Sequence, residues 1–261
     1  MKLIKIPSSI GGMEKSAGSE LAPSVVVNEM RELYMSEEGV LPNSDVDEVA
    51  VIEKNLSGTN AKIFEKALKA FKETDCPIFL GGDHSITLPI IRAFSKEYKN
   101  PGMVIFDAHP DSMGDFESHE DLIPGILNKN LVKKENIVLV GVRNWHQNEI
   151  EFLKKNEIKF FKMDEIVEEG VHETCDAVMS IAKDWNAVYL SIDIDAVDPA
   201  FAPGTGYIEP GGLTSRELLY FIHRLKKLNK IKGADLVEIN PKKDLNNITS
   251  KLGAKILVEL C

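Results

Sequence analysis

Short runs of β-branched, aromatic and leucine residues recur along the chain, separated by longer stretches in which apolar residues return every three or four positions. The short runs predict strands at Leu3–Ile6, Val49–Ile52, Pro77–Leu80, Met103–Phe106, Ile137–Val140, Lys159–Phe161, Val188–Ile192 and Asp235–Ile239. The longer stretches predict helices, among them Asn60–Glu73, Ile86–Tyr98, Val171–Lys183 and Ser215–Leu228. Several of the strands are nearly unbroken apolar runs, the pattern of a parallel strand buried on both faces. Strand and helix alternate, which predicts an α/β fold: one parallel sheet with helices on both sides, in three α/β/α layers. No repeat, low-complexity tract or linker-like run divides the chain, so residues 1–261 are expected to form a single domain. Open sheets of this kind bind ligands beyond the carboxyl ends of their strands. Residues that carry chemistry should therefore follow the apolar runs directly.

Composition narrows the partners. The formal net charge is −10, from 31 basic and 41 acidic residues. That balance argues against nucleic acid, which calls for a concentrated basic face, and suits a cationic small-molecule substrate. No stretch approaches the roughly 18 apolar residues of a membrane span, so no membrane partner is expected. The opening Met1–Ile6 lacks the apolar core of a signal peptide. Cys76, Cys175 and Cys261 are odd in number and far apart, with no CxxC pair. Neither a disulfide framework nor a thiolate zinc site is expected, and the cytoplasm is the natural location.

Three clusters follow predicted strands: Gly81-Gly82-Asp83-His84-Ser85, Asp107-Ala108-His109-Pro110-Asp111, and Asp193-Ile194-Asp195. Each has a plain structural reading. The two glycines could shape a turn while Asp83 or Ser85 caps the next helix, and Asp193-Ile194-Asp195 could be a strand-end turn. In the second cluster the spacing i, i+2, i+4 puts three ionisable side chains on one face of an extended backbone, with Pro110 where the strand leaves the sheet. Carboxylates crowded on one face repel unless a cation lies between them. Oxygen-rich donors with a minority of imidazole and no thiolate suit Mn²⁺ better than structural zinc. Four aspartates would balance two divalent ions, and metal-bound water would ionise near neutral pH.

Taken together these motifs resemble the ureohydrolase family of arginase, agmatinase, guanidinobutyrase and formiminoglutamase, from Gly11-Gly12 through to the segment near Ala254. The resemblance implies a single α/β domain with an eight-stranded parallel sheet, in agreement with the strand count. It implies two Mn²⁺ per chain: His84 and Asp111 on one, His109 and Asp195 on the other, Asp107 and Asp193 bridging both. His119 resembles the family's proton-shuttling histidine, acting with Asp111 on the departing amine. Glu238, in Val237-Glu238-Ile239-Asn240-Pro241, resembles the carboxylate that holds the substrate's guanidinium. The runs Asp198–Gly206 and Glu209–Glu217 continue the match, the second being most similar to agmatinase. A homo-oligomer, trimer or hexamer, is implied as well.

The departures bear on substrate. His119 is followed by Glu120-Asp121 where relatives usually carry Gly, and Met113 stands where arginases carry an Asn that reads the amino acid's carboxylate. Asn144, Trp145 and His146 follow Gly141-Val142-Arg143, where arginases offer an Asp to the α-amino group. The expected reaction is hydrolysis of a guanidino compound to urea and an amine, with agmatine to putrescine first. Alternatives are arginase, guanidinobutyrase or formiminoglutamase activity, or a metal-binding paralogue without catalysis. A two-metal phosphoesterase would place Arg or Lys among the ligands for phosphate charge, and these motifs carry none. The cluster Asp115, Glu117, Glu120 and Asp121 would favour a distal amine if it faces the pocket. Of the remaining histidines, His172 and His223 read as packing or surface residues, His146 has no ligand-like spacing, and Cys175 reads as a small core residue.

Overall fold

The computed structural model describes the chain except for Met1, Met13, Tyr34, Asn43, residues 115–117, Cys261 and the side chain of His119. Among the described residues eight strands form one sheet: β1 (Lys2–Ile6), β2 (Asp45–Glu48), β3 (Ile78–Gly81), β4 (Pro101–Phe106), β5 (Ile137–Val142), β6 (Lys159–Lys162), β7 (Ala187–Asp193) and β8 (Ile231–Val237). They lie in the order β2-β1-β3-β8-β7-β4-β5-β6, and every pairing is parallel.

Alternate strand residues feed two separate cores, as the pleat requires. Leu3, Ile78, Leu80, Val104, Phe106, Val188 and Leu190 face one side, where they meet α1 (Ala22–Met30), α6 (Met163–Glu169), α7 (Val171–Ala182), α8 (Ser215–Lys226) and α9 (Ile248–Leu260). Ile4, Phe79, Met103, Ile105, Leu139 and Tyr189 face the other, against α2 (Leu56–Glu73), α3 (Thr87–Glu97), α4 (Leu122–Asn128) and α5 (Gln147–Lys155). The result is the expected three-layer α/β/α arrangement. Among the described residues no helix is long and apolar enough to cross a membrane.

Two strands differ from expectation. The second strand is the polar segment Asp45–Glu48, not Val49–Ile52; it pairs with β1, and Val49 adds one further bond from its amide to the Lys5 carbonyl. An edge strand open to water needs no apolar run, and its acids are matched instead by Lys2 on Asp45 and Lys66 on Asp47, each at 2.7 Å. The last strand runs Ile231–Val237, starting earlier than Asp235 and ending before Ile239, because Glu238 leaves it with a left-handed φ of 62°. Helix α2 begins at Leu56, ahead of Asn60, with Asn55 capping it by accepting the Gly58 amide.

The sheet order matters for the site. The strands β3, β8, β7 and β4 are adjacent, yet β3 and β4 are linked directly through α3, so the chain crosses over β8 and β7. The crevice beyond the carboxyl ends of these four strands is where an open α/β sheet gathers its ligands.

Candidate metal centre

Each of the four adjacent strands ends on a part of the site. After β3, Gly81-Gly82 turns the chain so tightly that a Cβ on Gly82 would lie 1.9 Å from the Ser8 carbonyl oxygen, which only glycine permits. Asp83 then caps the 3-10 turn His84–Ile86 by accepting the Ser85 amide, and its other oxygen accepts the amides of Gly11 and Gly12. Asp83 is therefore the structural member of its motif, and His84 alone enters the site.

After β4, residues 107–111 do not continue as an extended strand. Asp107 accepts the His109 amide at 2.6 Å, and Asp111 takes a left-handed φ of 46°. The three side chains converge through this turn and not through the alternation expected for a strand face. After β7, Asp193 accepts the Asp195 amide at 2.8 Å and starts a 3-10 turn at Ile194–Ala196. Ile192 and Ile194 are buried in the core, as expected.

Five of the six expected ligands fall into groups with the spacing to hold a metal ion, and the sixth, Asp193, lies beside His84 but in neither group. His84 Nδ1 lies 2.9 Å from Asp111, 3.2 Å from Asp107 and 3.5 Å from Asp193. His109 Nδ1 lies 3.0 Å from Asp195 and 3.5 Å from Asp107. Two groups with the spacing to hold a metal ion result, His84–Asp107–Asp111 and Asp107–His109–Asp195, and they share Asp107.

The donor set fits metal. His84 Nε2 lies 2.9 Å from the Ser191 hydroxyl, which donates to Asp235 at 2.7 Å. With the hydroxyl proton committed to Asp235, Nε2 must carry hydrogen, and Nδ1 is the atom turned toward three carboxylates, free to present a lone pair to a metal ion once its proton is displaced. His84 Nδ1 and Asp107 Oδ2 are both buried without a hydrogen-bond partner of acceptable geometry. A metal ion between them, or in its absence a proton, relieves that arrangement.

Protonation tells the same story. Burial opposes charge on His84, yet the Asp107 and Asp111 carboxylates outweigh it and hold its pKa well above the usual imidazole value. Burial also opposes charge on His109, and the Asp195 and Asp107 carboxylates raise it likewise. Burial, then repulsion from Asp195 and Asp107, pushes the Asp193 carboxyl well above its usual value. Asp107 goes the other way: burial resists its ionisation, but the two histidines hold it low. Without metal, protons stand where cations belong.

A cavity of about 200 Å³ opens over these groups. Among the described residues its lining includes Met113, Glu120, His146, Glu149, Tyr207 and Glu238 besides the candidate ligands, and no Lys or Arg. Glu238 is held by the His84 amide at 2.9 Å on one oxygen and the Ser16 hydroxyl at 3.0 Å on the other. Glu149 accepts the amides of Ser112 at 3.1 Å and His146 at 2.8 Å, which ties α5 to the Asp111 turn.

The expected acidic cluster divides. Glu120 lines the cavity, Asp121 is buried in a capping box with Ser118, and Asp115 and Glu117 lie outside the described residues, as does the His119 side chain. His172 stacks on Tyr220, His223 pairs with Glu259, and Cys175 is buried, all away from the cavity. Sequence reasoning missed His146 and Tyr207 in the lining and Ser191 and Asp235 behind His84. Only Asp235 left a trace, as an acid inside the apolar run Ala234-Asp235-Leu236.

Comparison with known proteins agrees with this geometry. A model of the arginase family matches residues 1–261. An arginase of Staphylococcus aureus is 33% identical over 291 residues, covering 98% of this chain and 94% of that protein. An agmatinase of Bacillus subtilis is 35% identical over 195 residues, covering 70% of this chain and 62% of its own. The crystal structure of arginase from Bacillus subtilis superimposes with a TM-score of 0.90 at 26% identity, covering 100% of this chain and 97% of that one.

Proposed function

The chain belongs to the arginase family and is a hydrolase of amidine C–N bonds; from that premise we propose that it cleaves a guanidino compound lacking an amino-acid head group, agmatine first, to urea and an amine. The observation that carries this reading is the lining: among the described residues it is rich in carboxylates, and no Lys or Arg reaches the cavity to meet a substrate carboxylate. Met113 and His146 line the cavity; by the family resemblance, arginases carry an Asn at the position of Met113 and an Asp within the stretch Asn144-Trp145-His146 to read an amino-acid head group.

In this reading His84, Asp107, His109, Asp111, Asp193 and Asp195 would hold two Mn²⁺, with His84 and Asp111 serving one, His109 and Asp195 the other, and Asp107 and Asp193 available to both. Bound divalent ions lower the pKa of coordinated water and so supply the nucleophile near neutral pH. A guanidinium is a poor electrophile, so its carbon must be held against that nucleophile in a fixed pose. Glu238 does this with a carboxylate oriented by the His84 amide and the Ser16 hydroxyl, presenting a charge-assisted contact to the planar cation. Asp111 and His119 pass a proton to the departing amine. The proposal extends to a cytoplasmic homo-oligomer.

A second reading, arginine as substrate, is favoured by the length of the match to the Staphylococcus aureus arginase. Urea release from Mn²⁺-loaded protein should be compared across agmatine, L-arginine and guanidinobutyrate, with formamide release from formiminoglutamate alongside. Agmatine should exceed arginine in kcat/KM by roughly 10²-fold, because a site without partners for a substrate's polar groups rejects them. A clear preference for arginine would overturn the substrate and leave the family intact.

A further inference from the structure

The two site histidines are braced differently. His84 leans on Ser191 and, through it, on Asp235, which also accepts the hydroxyls of Thr87 at 2.8 Å and Tyr189 at 2.9 Å. That brace is built into the sheet and buried. His109 has no such anchor. Its Nδ1 faces Asp195 and Asp107, so Nε2 carries the ring hydrogen, and 3.5 Å from Nε2 lies Oε1 of Glu209.

Glu209 sits on the loop between β7 and α8, and its position is fixed from several sides. Its Oε1 accepts the Asn144 amide nitrogen at 2.8 Å. Its peptide carbonyl accepts Arg143 Nη2 at 2.6 Å and Nε at 3.1 Å. The same Nη2 donates to the carbonyl of Asp195 at 2.6 Å, so one guanidinium joins the Glu209 loop to the backbone of His109's partner. Immediately afterwards, Asp198 accepts the amides of Gly211 at 2.6 Å and Gly212 at 3.1 Å. The carboxylate is thus delivered to the outer edge of the His109 ring by a braced loop.

We propose that Glu209 is the positioning residue of His109, fixing its ring and tautomer so that Nδ1 serves the outer metal position, and that this position is thereby coupled to the seating of the 209–212 loop. A carboxylate behind a ligating imidazole orients the ring and strengthens its basicity, and its loss typically weakens metal binding 10–100-fold. The inference rests on the two-ion reading of the centre. It predicts unequal sites: the His84 position depends on buried hydroxyls and Asp235, the His109 position on a loop that solvent reaches.

The test is Mn²⁺ binding by full-length Glu209→Gln and Glu209→Asp, followed by chelator competition and by electron paramagnetic resonance of the bound ions. Gln keeps an acceptor for Asn144 but removes the charge behind His109. One of the two ions should then dissociate roughly 10–100-fold more readily, the spectrum changing from a coupled pair to a single ion, with partial recovery in Glu209→Asp. The melting temperature of the metal-free protein should not change, which separates this role from a structural one. If Glu209→Gln holds both ions as tightly as the parent, Glu209 does not position His109. A parent that binds two ions in that same experiment keeps the metal reading; a parent that binds none overturns both.

Discussion

The floor of the site and its rim are built on different terms. On the floor, His84, Asp107, Asp193 and Asp235 are each no more than 3% exposed, and every one is tied to a strand end or to a hydrogen-bond chain inside the sheet. At the rim, Met113 is 44% exposed, His146 stands at a helix start, and Tyr207 and Glu209 ride on the connection between β7 and α8. The floor groups like charges that only cations reconcile, so its chemistry is nearly dictated by its residues. The rim sits on connecting segments and a helix start, where a side chain can be replaced without disturbing the sheet. Under the proposed function, reaction type belongs to the floor and substrate choice to the rim.

The strongest way to break that division is at the residue both candidate metal groups share. Asp107→Asn should remove the charge common to the two ligand groups, reduce bound Mn²⁺ to one or fewer per chain and take urea release to background. Asp195→Asn, beside His109 only, should leave one ion in place and still lose turnover. Retention of two ions and measurable activity in Asp107→Asn would mean that Asp107 bridges nothing. One step weaker is His119→Ala, which should keep both ions and slow turnover on the order of 10²–10⁴-fold for a lost general acid–base. Parental activity in that variant would remove His119 from the chemistry.

The clustered acids and histidines of the floor were legible in the sequence, whereas Asp235 behind them and most of the rim beyond Met113 and Glu120 were not, for physical reasons. Asp107, His109, Asp111, Asp193 and Asp195 stand at short spacing directly after apolar runs, where unpaired acids would be costly, so type and spacing marked them without a structure. The geometry that brings them together was misread: a turn with Asp111 at positive φ, not a strand face, gathers the second cluster. The polar edge strand Asp45–Glu48 escaped because an edge partner of β1 has no core face to mark it. Ser191, Asp235, His146 and Tyr207 escaped because each meets the site through chain-distant contacts that leave no local periodicity.

Metal removal sharpens the contrast through stability. Ions that bind only the folded protein stabilise it by about 4 kcal/mol at a free concentration about a thousandfold above Kd, on the order of 10 °C in a chain of this size. Chelation should lower the melting point accordingly, and the loss should grow with pH. In the metal-free protein His84 and Asp193 have pKa values above their unfolded ones. Each therefore contributes stability that is full below its unfolded pKa, about 6.5 for imidazole and about 4 for a carboxyl, and is lost as pH rises through the raised folded value. Asp107, held low, contributes in the opposite sense, but its change is confined to acid. Scanning calorimetry from about pH 7 to about pH 9 should thus show the metal-free form falling further than the loaded form. Parallel curves would mean that protons do not substitute for metal on the floor.

The smallest expected effect is at the rim. His146 heads α5, and its Nδ1 accepts the Asn148 amide at 3.3 Å, which leaves Nε2 as the hydrogen-bearing nitrogen of a side chain that lines the cavity. His146→Ala removes a helix cap, at a cost of about 1 kcal/mol in stability. It also removes one cavity contact, worth about 1 kcal/mol or roughly fivefold in KM. Both ions should stay and kcat should hold, because the ring touches neither ligand group. A loss confined to KM is the signature of a group that binds ground state and transition state alike. Since Nε2–H donates and does not accept, its removal should also improve the relative rate of substrates with a terminal ammonium over those with a terminal carboxylate. A fall in kcat at full metal occupancy would instead move His146 into the chemistry and erase the line between floor and rim.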